Sequence, residues 1–224
     1  MKNKYALYPI IMSFCSLICF IVVLIFFATV VQPLWGKIML LILPALILGV
    51  VAFCAVKGKL GVVATIVWTT TLSIVFLFIS LFYTVFLSME TATTITTDIR
   101  YYSRAYAQID ELKEVREVFP KSIPTDAKNI EFSYMPQFLQ GGEVFELSYT
   151  VTDDKLTEWS TLLEGNSEWV GSNQQWHNEN DWSSDCVDAT RYQLYWDGGF
   201  NHGEICYALI SEELNQITFY YSIW

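Results

Sequence analysis

Three tryptophans stand in the most polar stretch of the chain. Between Glu164 and Asp188, Trp169, Trp176 and Trp182 are interleaved with Asn173, Gln174, Gln175, His177, Asn178, Glu179, Asn180, Asp181 and Asp185, and neither lysine nor arginine occurs. That mixture suits two chemistries. Indole faces beside amides and carboxylates hold a sugar ring by apolar stacking with directed hydrogen bonds. Carboxylates and amide oxygens ligate a hard cation such as calcium, although the glycine and distal glutamate of a calcium loop are missing. A structural reading stands beside both: the tryptophans plug the edge of a sheet.

The two histidines are His177 and His202, the latter in the run Asn201, His202, Gly203, Glu204 close to Cys206. A Cys186–Cys206 disulfide would bring loop and strand together, so that His177, Asp181, Asp185, His202 and Glu204 could converge on a metal or form an acid and base pair. Trp169, Trp176, His177, Glu179, Asp181, Trp182, Asp185, His202 and Glu204 are therefore the candidate ligand-binding set. No HExxH, Gly-x-Ser-x-Gly, phosphate-cradling glycine loop or CxxC is present. No catalytic residue, resident metal or cofactor is marked, and the expected character is nonenzymatic.

Charge narrows the partners. The chain carries 13 basic and 23 acidic residues, and every acidic one lies after Ser88. An acidic surface repels nucleic acid and favours cationic partners or plain solubility. Cys15, Cys19 and Cys54 fall in apolar runs, whereas Cys186 and Cys206 form an even pair in the polar part. Such a pair reads as a disulfide of an oxidising compartment, closing a loop of about 20 residues for about 3 kcal/mol.

The elements that must position these groups begin with a membrane part. Leu7 to Val31, Ile38 to Val56 and Val62 to Ser88 are each without a single charged residue, and each reaches the roughly 20 residues that a helix needs to cross a bilayer. The first run is too long for a cleavable signal sequence. Lys2 and Lys4 precede the first run and Lys57 and Lys59 separate the second from the third, against Lys37 alone in the other connection. Positive-inside counting then places the N-terminus in the cytoplasm and everything after Ser88 outside. The spans hold no Asp, Glu, Lys, Arg or His that would mark an ion path. The hydroxyls of the third (Thr65, Thr69, Thr70, Thr71, Ser73, Ser80 and Thr84) suit helix contacts, either internal or with a partner.

No glycine or proline occurs between Gly61 and Pro120, so helix is permitted from the third span into the polar region, with a threonine-rich stretch at 89–97 that is either helix or a short extended spacer. Ile99, Tyr102, Tyr106, Ile109, Leu112 and Val115 recur at helical spacing and predict an amphipathic helix to about Phe119, where Pro120 and Pro124 end it. Alternation predicts strands at 130–134 and 145–151, then at 192–196, 205–209 and 217–221, with a helix capped by Thr152 or Asp153 between the two groups. Short turns between strands favour an antiparallel sheet. The expected organisation is a membrane all-α region of three transmembrane helices (1–88), a juxtamembrane linker and amphipathic helix (89–119), and an acidic α+β extracytoplasmic domain with an antiparallel sheet (120–224).

Phe119 to Gly142, with Phe-Pro-Lys-Ser-Ile-Pro, Asp-Ala-Lys-Asn-Ile-Glu-Phe and Leu-Gln-Gly-Gly, resembles a segment of uncharacterised membrane-anchored or lipoprotein-like extracytoplasmic proteins of Gram-positive bacteria. The resemblance implies a bacterial surface location and no activity. The expected function is a membrane-anchored binding, sensing or assembly module, with membrane lipid and a protein or envelope glycan as partners. An envelope-glycan-binding or glycan-hydrolysing protein and an accessory subunit of a transporter are the alternatives.

Overall fold

The computed structural model describes residues 5–109, 112–138, 142–180, 188–199 and 203–224, with the side chains of 178–180 outside the description. Two compact units divide the chain, Met1–Thr91 and Ala92–Trp224.

The first unit is helical. α1 (Leu7–Ala28) is followed by α2 (Trp35–Ile38), which passes through a 3-10 turn, Met39–Ile42, into α3 (Leu43–Val56), and then by α4 (Val62–Thr93). Three stretches of 22, 22 and 32 residues are thus long and apolar enough to cross a membrane; at 1.5 Å per residue they measure about 33, 33 and 48 Å. Phe20, Phe27, Ile38, Leu41 and Leu87 close a small core. Polar contacts between the helices include Ser13 Oγ donating to the Ala45 carbonyl at 2.8 Å, a hydroxyl hydrogen bond between Tyr8 and Thr70 at 3.1 Å, Tyr83 Oη donating to the Lys37 carbonyl at 3.2 Å, and the pairing of Lys37 with Glu90. The outward side chains are overwhelmingly apolar, among them Phe14, Val63 and Phe82. A surface of that kind is far larger than the apolar patches that soluble monomers expose.

The third helix runs past Ser88 to Thr93 and then stops. Thr96 lies extended, exchanging two backbone hydrogen bonds of 2.9 Å with Tyr134, and Asp98 caps the turn Ile99–Tyr101 by accepting from Arg100 N. The 89–97 stretch is divided between the two alternatives, helix as far as Thr93 and an extended spacer beyond it. The run Thr93, Thr94, Ile95, Thr96, Thr97 is β-branched throughout, which lowers helix propensity and suits a bridge to a strand.

The second unit is a six-stranded antiparallel sheet in the order β1-β2-β6-β5-β4-β3, with β1 Lys128–Met135, β2 Glu143–Thr150, β3 Trp169–Ser172, β4 Thr190–Asp197, β5 Glu204–Ser211 and β6 Gln216–Ile223. The expected strands are all present, as is α7 (Asp153–Glu164). The single amphipathic helix is a correction: it is two pieces, α5 (Tyr102–Ile109) and α6 (Lys113–Val118), with Leu112 extended at the start of the second. The break lets Tyr102, Tyr106 and Ile109 on one piece and Val115, Val118 and Phe119 on the other all become buried. On the helix-covered face, Tyr102 packs on Phe132 and Phe145, Phe119 on Phe145 and Phe219, and Trp159 on Phe219.

Candidate functional site

The stretch expected to be a long loop contains two elements: the four-residue edge strand β3 and the helix α8 (Asn173–Asn180). They place Trp169 and Trp176 on the sheet face opposite α5, α6 and α7. Strand register runs a row across that face from Trp169 to Gln193, Tyr207, Tyr220 and Glu146. Tyr207 and Tyr220 are stacked, with ring centroids 4.8 Å apart and planes 21° from parallel. One rung away, Trp196 touches Trp176 edge-on at 5.4 Å and Trp224 at 5.5 Å. Trp224 is admitted by Gly203, whose Cα lies so close that an added Cβ would stand 2.0 Å from the indole.

Arg191 organises this face. Its guanidinium lies 3.6 Å from the ring centroids of both Trp176 and Tyr207, and the side chain is only 1% exposed. Its Nε donates to Gln193 Oε1 at 2.9 Å and its Nη1 to Asn173 Oδ1 at 3.3 Å. Gln193 in turn donates to the carbonyls of Tyr195 and Cys206. A flat delocalised cation between two π faces is favoured where water is excluded. Burial is the main force pushing the Tyr207 phenol upward, with Arg191 opposing it. α8 is thus joined to β4 through Trp176 and Asn173, both meeting Arg191.

Sequence reasoning missed Arg191 as a site residue because it counted cations as surface charges. The signal was its place in a strand between apolar and amide neighbours, flanked in register by an aromatic strand.

The expected set divides. Trp176 and His177 are buried on α8, their rings 5.7 Å apart, and Trp169 is half-buried on β3. Glu204 lies on the other side of the sheet, where Tyr221 donates to its Oε1 at 2.9 Å. The expected meeting of Glu204 with His177 therefore does not occur: two residues apart on β5, Glu204 and Cys206 share the face that the helices cover, while α8 packs on the opposite one. The side chain of Glu179 and residues Asp181, Trp182, Asp185, Cys186 and His202 lie outside the described residues. Among the described residues, no group of three or more His, Cys, Asp or Glu forms a metal site.

The disulfide is a second correction. Cys206 is a free thiol, fully buried beside Tyr221 in the sheet register, and no bridge is present among the described residues. It acts as a small apolar core residue, and burial holds its thiol well above the ordinary range.

The helix-covered face carries a second carboxylate. Tyr134 donates to Glu143 Oε1 at 2.6 Å, and Glu143 and Glu204 flank Ile223 in register. Burial raises the Glu143 carboxyl, more than the Tyr134 hydrogen bond lowers it, and Glu204 adds to the rise.

Comparison with family models, with curated proteins and with solved structures found no match to this chain.

Proposed function

We propose that the chain is a multi-pass membrane protein, its first lysines cytoplasmic, that presents a nonenzymatic α+β domain outside the cell for binding, sensing or assembly. One observation carries this reading: a helical unit clad in apolar side chains is joined to a separate sheet domain whose second face is a half-covered aromatic row. Apolar cladding needs lipid, and the lysine distribution supports the orientation. All but one of the acidic residues belong to the second unit, which favours solubility beyond the bilayer. The resemblance of 119–142 supports a bacterial envelope.

Half-buried Trp196, Trp224 and Tyr220 are the surface on which a ligand would rest. Aromatic faces bordered by amides suit recognition of a glycan or a protein.

Single cysteines at Lys59 and Asp126, introduced into a chain without its native cysteines, test the orientation. A membrane-impermeant maleimide applied to intact cells is expected to label Asp126→Cys and not Lys59→Cys. The reverse pattern overturns the reading.

A further inference from the structure

The geometry points to a second binding site, separate from the aromatic row, in the cleft between α7 and the end of the sheet where β4 begins and β5 turns into β6, for an amino sugar carrying a free ammonium group. The cleft has a volume of about 500 Å³, within the usual range for small-ligand pockets of about 300–1,000 Å³.

Its floor is apolar, made by Leu156, Ile210 and the ring of Tyr192, all buried. Its walls are hydroxyls and carboxylates. Thr157 and Thr161 of α7 give their protons to the helix carbonyls of Asp153 and Thr157, at 3.1 and 2.9 Å, which leaves both oxygens as acceptors toward the cleft. Ser160 and Tyr192 share one proton across 2.7 Å, so the pair keeps only one to give. Asp153 and Glu212 add carboxylates, and no lysine or arginine lines the space. Asn215, held in the left-handed region at φ 51° in the β5–β6 turn, supplies an amide.

Acceptors thus outnumber donors, and the formal charge is negative. A complementary ligand brings donors and positive charge, with a C–H face for the apolar floor. An ammonium supplies three donors and no acceptor, and sugar hydroxyls complete the match. An N-acetylated sugar replaces that charge with a carbonyl acceptor facing other acceptors. A linear polyamine has the charge without the hydroxyls.

The test uses the full chain purified in lipid nanodiscs and titrated calorimetrically with three probes: a β-1,4 glucosamine tetramer, its fully N-acetylated counterpart, and spermidine. The glucosamine tetramer is expected to bind, more weakly as salt rises, and at least about tenfold tighter than the acetylated tetramer. Glu212→Gln, an exposed turn position, should weaken it about fivefold; Thr190→Val, in the cleft wall, should weaken it as well. Equal or tighter binding of the acetylated tetramer, equal binding of spermidine, or no binding of the glucosamine tetramer overturns the proposal. So does glucosamine binding that survives Glu212→Gln and Thr190→Val but is lost in Trp224→Ala, which would place the sugar on the aromatic row. Because purified protein is used, none of these outcomes depends on which way the chain crosses the membrane.

Discussion

Removing Arg191 should release α8 while leaving the rest of the sheet in place. In Arg191→Ala the guanidinium leaves two ring faces at 3.6 Å, each contact worth about 2 kcal/mol when desolvated. It also leaves hydrogen bonds to Gln193 and Asn173, each worth about 1.5–3 kcal/mol for a charged donor. Against these gross gains stands the several kcal/mol that burying a cation costs, which the substitution returns. The net loss is about 3 kcal/mol, in line with the cost of deleting one partner from a buried charged network. That loss falls where Arg191 joins two elements, on the docking of α8 against β4. Hydrogen exchange of the full chain in nanodiscs should show the amides of Asn173–Asn180 exchanging about a hundredfold faster, with β2 and β6 unchanged. Arg191→Lys should recover only part of the protection, because an ammonium cannot stack flat between two rings while reaching both amide oxygens. Exchange in α8 within about threefold of the parent protein would refute this account of the arginine. A uniform rise across all six strands would show instead that the residue stabilises the whole sheet.

Two further changes probe the sheet. Burial raises the Glu143 carboxyl in the folded protein, so the folded state holds its proton more tightly than the unfolded chain. That contribution is complete below the ordinary carboxyl range and is lost as pH climbs through the raised value. Glu143→Gln should therefore raise the urea midpoint at pH 7, keep the hydrogen bond from Tyr134, and flatten the profile between pH 4 and pH 7; a parent protein whose stability rises across that window contradicts the assignment. Gly203→Ala places a methyl 2.0 Å from the Trp224 indole, which must swing off Trp196 at a cost of about 1–3 kcal/mol. Near-ultraviolet circular dichroism should lose the part of its tryptophan signal that comes from the Trp196–Trp224 pair, and an unchanged spectrum would mean the ring is not held there.

Local pattern was enough to place most elements. The uncharged runs at 7–31, 38–56 and 62–88 give three long apolar helices because a helix satisfies the polar backbone of an apolar segment from within that segment. Alternation at Phe145, Leu147 and Tyr149, and again at Ile217, Phe219 and Tyr221, gives strands because every second side chain meets the same face. β3 and α8 were not legible: Trp-Val-Gly-Ser is too short for alternation to register, and Asn-Gln-Gln-Trp-His-Asn-Glu-Asn has weak helix propensity and becomes helical against β3 and β4. The division into α5 and α6, with Leu112 extended, was hidden by an apolar spacing that runs on from Ile109 through Leu112 to Val115.

Composition and spacing thus determined where the chain is apolar enough for lipid, where it is acidic, and which segments are helix or strand, since these follow from residue-by-residue preference. Tertiary structure decided that β6 lies between β2 and β5, that Glu204 and Cys206 face the helices while Trp196 and Trp224 face the other way, and that Arg191 is enclosed by aromatic rings. Those outcomes depend on which strands pair and in what register, and a shift of one residue would exchange every side chain between the two faces.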